Sequence, residues 1–249
     1  VRLINESLDC AQAMQELIRM GVETIITFDA HDNRVQNAIP NNGFDNFFTS
    51  YQFISTILND MPDLIVDNEH LMTISPDEGG MRRAVFYSNQ LGVDMGMFFK
   101  RRNYSTLVNG EHPVISMEFL GNDVSGKDVI IVDDMIASGK TVLEVAKELK
   151  KRNAARVIIC ATFGLFNDGL EELDQAYKEK VFDHIYTTNL CYCPSALKER
   201  PYYHNVDLSR YIALIIDTLN HDTSVNDIMN ATKRIQELLE ERSKNISSK

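Results

Sequence analysis

The chain has 249 residues, enough for one large domain or two small ones, and its 44% hydrophobic and 24% charged residues are the balance of an ordinary globular protein. A formal net charge of -11 argues against a nucleic-acid binder, because no basic face is visible to neutralise a phosphate backbone. It leaves room for a small phosphorylated ligand, since a local loop can hold an anion inside an acidic protein. No apolar run approaches the length needed to span a bilayer and no secretory signal is visible, so no membrane partner is expected. Cys10, Cys160, Cys191 and Cys193 are scattered, give no disulfide framework and read as cytosolic thiols, so a cytoplasmic location is expected. The "CYC" at 191–193 lacks a second Cys/His pair at metal-binding spacing and reads as structural.

In chain order, "SLDCAQAMQELIRM" predicts a helix capped by Ser7, with Leu8, Ala11, Met14, Leu17 and Ile18 at helical spacing and Gly21 as its end. "TIITF" follows as a compact buried strand. The alternation then repeats: "LMTIS" and the helix "MRRAVFYSNQLG"; the strands "DMGMFF" and "VISMEF"; "DVIIVDD" and the helix "TVLEVAKELKKRN"; then "RVIICATF" and "HIYTT". Short apolar strands separated by helices predict an α/β fold, a mostly parallel sheet flanked by helices on both faces. Ligands in such sheets bind at the carboxyl ends of the strands. Residues 224–244 read as one polar-faced helix, with Val225, Ile228, Met229, Ile235, Leu238 and Leu239 as its apolar residues, packing on the body or on another subunit; the final "NISSK" is expected to fray.

Four strand ends carry chemistry. "TFDAHDNRVQNAIP" places His31 beside Asp29 and Asp32, although a lone histidine is more often structural than a ligand. "TISPDEGGMRRA" ends a strand in an acid and two glycines, so Asp77 is placed to hold Mg²⁺ with backbone N–H groups nearby for a phosphate. "FFKRRN" sends Lys100, Arg101 and Arg102 out of a strand together. A charge run is usually a solvated turn, yet transfer of a phosphoryl or pyrophosphoryl group needs such cations.

The fourth end, "VIIVDDMIASGKT", finishes like a nucleotide-binding P-loop. That motif requires a glycine five residues before its Gly-Lys pair, and here Asp134 stands in that place. Asp133 and Asp134 can instead hold two vicinal hydroxyls of a sugar, directly or through a divalent metal. Ala137, Ser138, Gly139, Lys140 and Thr141 then lead into a helix whose N–H groups and dipole favour a phosphate. A ribose bearing a 5-phosphate satisfies both halves.

Taken together, these elements resemble the type I phosphoribosyltransferase-like fold and, more closely, the ribose-phosphate pyrophosphokinases. The resemblance runs from about Ser7 to Met229 and rests on the four strand ends in the family's order. It implies that Asp133, Asp134 and the loop 137–141 hold ribose 5-phosphate, that Asp77 is a magnesium ligand, that His31 contacts the ATP–magnesium group, and that Lys100 and Arg102 are the catalytic pair. ATP as co-substrate, Mg²⁺ and a homo-oligomer are implied in the same way. Two departures stand out: Ala137 lacks the carboxylate the family often carries there, and Lys140 replaces a glycine, either to add charge at the phosphate or simply to face solvent.

The family's amino-terminal ATP-gripping motifs have no counterpart here. Residues 1–48 are therefore expected to be the remnant of a preceding, partial domain, 49–222 a phosphoribosyltransferase-like domain, and 223–249 a terminal helix and tail. The alternatives are a phosphoribosyltransferase that consumes phosphoribosyl pyrophosphate, which explains "VDDMIASGKT" but neither "FDAHD" nor "FFKRR", and a regulatory homologue that binds the sugar phosphate without turnover.

Overall fold

A computed structural model describes residues 8–102 and 114–247, with the side chains of 100–102, 114–116, 227 and 245–247 outside that description. The chain divides into two compact units, Val1–Thr49 and Ser50–Lys249.

The first unit comprises helix α1 (Asp9–Arg19), strand β1 (Thr24–Phe28), a 3₁₀ turn (Asn33–Ala38) and strand β2 (Gly43–Phe47). β1 and β2 pair in parallel, Thr24 with Gly43 through Phe28 with Phe47. Leu8 stands at the N-cap of α1, and the expected cap, Ser7, lies outside the described residues. Only Met14 of α1 is buried. "TIITF" is a strand but not a buried one: Ile26 is exposed, because a two-stranded sheet covers little of its own faces.

The second unit runs through α2 (Ser50–Asp60), β3 (Leu71–Ser75), α3 (Met81–Leu91), β4 (Asp94–Arg102), β5 (Val114–Leu120), β6 (Asp128–Ile136), α4 (Lys140–Lys151), β7 (Val157–Gly164), α5 (Glu171–Lys178), β8 (His184–Thr188), α6 (Ser195–Lys198), β9 (Tyr203–Val206), α7 (Ser209–Asn220), α8 (Asn226–Met229) and α9 (Thr232–Ser247). Its sheet has seven strands in the order β5-β4-β3-β6-β7-β8-β9, parallel throughout except for the β4–β5 pair. The apolar runs read from the sequence are the buried central strands; β3 is inaccessible along its whole length.

Alternation along β6 splits the core into two layers. Val129 and Ile131 pack with Val142, Leu143, Val145 and Leu149 of α4 and Leu173 of α5. Ile130 and Val132 pack on the other face with Ile54 and Leu58 of α2, Ala84 and Tyr87 of α3 and Ile235 of α9.

The expected single terminal helix is two, α8 and α9, interrupted at Asn230 and Ala231. The Asn230 side chain accepts from the Thr232 amide at 3.1 Å, capping the second helix and competing with helical continuation. α9 belongs to the body. Arg242 donates to the carbonyls of Leu58 (2.6 Å), Met61 (3.1 Å), Pro62 (3.0 Å) and Leu64 (2.8 Å), satisfying acceptors that the end of α2 leaves open. It runs to Ser247, so most of "NISSK" is helical.

Candidate functional site

The strand order reverses between β3 and β6: the connection after β3 leads to β4 on one side, and that after β6 leads to β7 on the other. Such a switch point opens a crevice at the carboxyl ends of the two strands. Asp77 and the Gly79–Gly80 turn follow one of them, and Asp133 and Asp134 lie in the last part of the other.

The register explains how the acids are presented. β6 pairs with β3 only as far as Ile74 opposite Ile131, but with β7 as far as Ile136 opposite Gly164. Asp133 and Asp134 are thus still strand residues, not the exit the sequence suggested, and they lie on the part of β6 that has outrun β3. The β3–α3 turn occupies that space. A Cβ added at Gly80 would stand 2.8 Å from Ser75 Oγ and 3.4 Å from the Val132 carbonyl oxygen, so the turn needs glycine to come this close to β6.

Asp134 is buried and Asp133 half-buried. Asp133 Oδ1 accepts from the Asp134 amide at 2.8 Å. Burial pushes the Asp133 carboxyl from 3.8 up to about 8; the hydrogen bond and charge of the Asp134 side chain add to this, while the Asp134 amide and the Arg83 cation oppose it. Near neutral pH the folded protein therefore favours the protonated form of this carboxyl.

Asp77 is exposed, and its Oδ1 accepts from the amides of Gly79 (2.8 Å) and Gly80 (3.1 Å), while Ser75 Oγ donates to its carbonyl at 2.7 Å. The turn is therefore closed by its own hydrogen bonds. Among the described residues no group of three or more His, Cys, Asp or Glu side chains forms a metal cage. That donor set fits magnesium, which usually takes one or two carboxylates and completes its octahedron with water and ligand phosphates. Asp77 is the carboxylate of this turn that would hold it.

The loop after β6 is buttressed from behind. The Leu165 amide donates to Ile136 O at 2.9 Å and the Asn167 amide to Ala137 O at 2.8 Å. Gly139 is buried in the left-handed region (φ 91°) as the N-cap of α4, where an added Cβ would stand 3.4 Å from Leu173. Ala137, Lys140 and Thr141 are exposed and Ser138 is half-buried. The Lys140 amide donates to Ser138 Oγ at 3.4 Å, and the remaining first-turn N–H groups have no acceptor within the helix. Lys140 does not simply face solvent: its Nζ pairs with Asp168 at 2.8 Å.

The structure thus brings Asp77, Asp133, Asp134 and the loop 137–141 to neighbouring strand ends of the second unit. Lys100 and Arg102 end β4, beside β3, with Lys100 opposite Met117 and an irregularity between Arg101 and Arg102; their side chains lie outside the described residues. His31 is exposed on the loop after β1 in the first unit. On that loop Asp29 is buried at a positive φ of 47°, and Asp32 is tied to Arg34 at 2.6 Å, a bond that holds its carboxyl down at about 2. Cys193 Sγ bonds to Tyr203 Oη at 3.2 Å and Cys191 Sγ to Gly164 O at 3.4 Å, structural roles for "CYC".

Two contributors escaped the sequence reading, Arg83 and Asp168. A signal for both existed. α3 and α4 begin with basic residues and no acid in the first turn, the unfavourable end of the dipole for a cation. Cations there imply anions nearby.

Residues 49–195 match the family model described as "Phosphoribosyl transferase domain". Curated relatives named ribose-phosphate pyrophosphokinase include that of Mycoplasma genitalium, 31% identical over 70% of this chain and 48% of its own length. That of Vibrio parahaemolyticus is 30% identical over 86% of this chain and 63% of its own. The chain therefore spans roughly half to under two thirds of the curated relatives it matches. The crystal structure of phosphoribosylpyrophosphate synthetase from Mycobacterium smegmatis superposes with a TM-score of 0.73 at 23% identity, covering 88% of this chain and 65% of that one, a likeness of fold.

Proposed function

Because the chain belongs to the phosphoribosyl transferase domain family, we propose that it carries the sugar-phosphate site of a ribose-phosphate diphosphokinase, which transfers the β,γ-diphosphoryl group of Mg·ATP to the 1-hydroxyl of ribose 5-phosphate. The carrying observation is the meeting, at one switch point, of the Asp133–Asp134 pair with the phosphate-ready start of α4. In this reading Asp133 and Asp134 accept hydrogen bonds from the ribose hydroxyls, and the N–H groups of 137–141 with Ser138 and Thr141 hold the 5-phosphate. The sugar is then fixed with its 1-hydroxyl facing the diphosphoryl group, so that an O–P bond forms as the bond to AMP breaks.

Lys100 and Arg102 would neutralise charge on the moving group and on the departing AMP. Asp77 would hold the metal of the metal–triphosphate, the resemblance assigns His31 to the same group, and Mg²⁺ when bound would supply positive charge to offset that of the phosphates. The assembled protein would be a cytoplasmic homo-oligomer. The relatives' names and the fold likeness support the reading.

The regulatory-homologue alternative is favoured by one observation, the exposed Ala137 in place of a loop carboxylate. AMP release from Mg·ATP, measured with and without ribose 5-phosphate and followed by phosphorus NMR, separates the two. Sugar-dependent AMP and a new diphosphate ester signal are expected. Ribose 5-phosphate binding by calorimetry without AMP formation would leave the regulatory homologue.

A further inference from the structure

Lys140 is the first residue of α4, where a cation opposes the helix dipole, and the first turn contains no acid to offset it. The anion comes from another loop. Asp168, between β7 and α5, holds the ammonium at 2.8 Å, and Glu172 in the first turn of α5 adds its charge; together they raise the Lys140 pKa. The pair is not needed to join the two loops, because the backbone bonds from Leu165, Phe166 and Asn167 to Ile136 and Ala137 already do so. Both side chains are more than half exposed, 59% for Lys140 and 51% for Asp168. An exposed pair of this kind is weak and exchanges readily.

We propose that Asp168 is a specificity-determining residue of the sugar-phosphate site: it neutralises Lys140 in the ligand-free protein and so sets how strongly the loop discriminates phosphorylated from unphosphorylated sugar. This rests on the sugar-phosphate reading of the loop. A dianionic 5-phosphate at the start of α4 competes with Asp168 for the same ammonium. Removing the carboxylate leaves Lys140 to the ligand; removing the lysine makes Asp168 irrelevant to affinity except as a distant, screened charge.

The test is calorimetric titration of the full chain with ribose 5-phosphate, and with ribose as the phosphate-free control, for the wild type, Asp168→Asn, Lys140→Ala and the double variant. Asp168→Asn is expected to lower the Kd for ribose 5-phosphate two- to fivefold, to leave ribose unchanged and to steepen the loss of affinity with added salt. Lys140→Ala is expected to raise the Kd, and the double variant to match Lys140→Ala. The inference is overturned if Asp168→Asn leaves the ribose 5-phosphate Kd at the wild-type value, or if it tightens binding equally in the Lys140→Ala background, which would reduce Asp168 to one more negative charge. If the wild type binds ribose 5-phosphate no better than ribose, the sugar-phosphate reading itself fails and takes this inference with it.

Discussion

Gly80 lies so close to Ser75 that an added Cβ would stand 2.8 Å from the serine Oγ, a hydroxyl already committed to the Asp77 carbonyl at 2.7 Å. The turn that presents Asp77 is therefore built on a glycine, and any side chain there must displace both Ser75 and Asp77 or push against Pro76 and the Val132 carbonyl. Gly80→Ala should destabilise the protein by about 1–3 kcal/mol, the usual cost of overpacking. It should weaken binding of Mg²⁺ together with a phosphorylated ligand by more than Gly79→Ala does, since an added Cβ at Gly79 meets only Asp77 Oδ1, at 3.2 Å. Thermal melts and metal titrations of the two variants make the comparison; equal behaviour would contradict the close approach.

The raised Asp133 carboxyl makes stability depend on pH in a defined direction. Its folded value, about 8, lies above the ordinary 3.8, so the folded state favours the protonated acid. That contribution is fully present below the ordinary value and is lost as pH rises through about 8. Ligand-free wild type should lose stability as pH rises from about 4 to about 8, and Asp133→Asn should flatten that loss. Denaturant titrations at a series of pH values read this directly.

Lys100 and Arg102 leave β4 beside the strand that carries Asp77. If they act on the transferred group and not on the sugar, Lys100→Ala in the assembled enzyme should cut turnover by roughly 100-fold or more while the Kd for ribose 5-phosphate changes little. Loss of sugar-phosphate binding with turnover preserved at saturation would remove that assignment.

Arg242 closes the end of α2 with bonds to the carbonyls of Leu58, Met61, Pro62 and Leu64. Arg242→Ala removes this donor from the part-buried carbonyls of Leu58 and Leu64 and should cost about 1–3 kcal/mol, detectable as a lowered denaturant midpoint. Arg242→Lys should recover only part of this, because an ammonium cannot reproduce the spread of a planar guanidinium.

The strands and helices of the second unit were legible because buried parallel strands are continuous apolar runs and their helices amphipathic. The loop 137–141 was legible as a strand-to-helix connection, because small and hydroxylated residues follow an apolar run there, whereas Asp133 and Asp134 proved to be strand residues and not the exit. The reading failed where neighbours decide the outcome. "TIITF" is as apolar as the central strands, yet Ile26 is exposed, since burial depends on what lies against a strand and not on its composition. The terminal helix breaks at Asn230 because a side chain caps the next turn, a local competition that hydrophobic spacing does not register.

By itself the sequence determined the periodicities, the residues that stand at the strand ends and the family they resemble. Only the tertiary structure decided that β3 and β6 are neighbours at a reversal of strand order, which turns two separate motifs into one crevice. It also decided that burial lifts the Asp133 carboxyl and that Lys140 is held by Asp168, 28 residues further along the chain. Desolvation and ion pairing depend on distances through space, and those distances exist only once the sheet has formed.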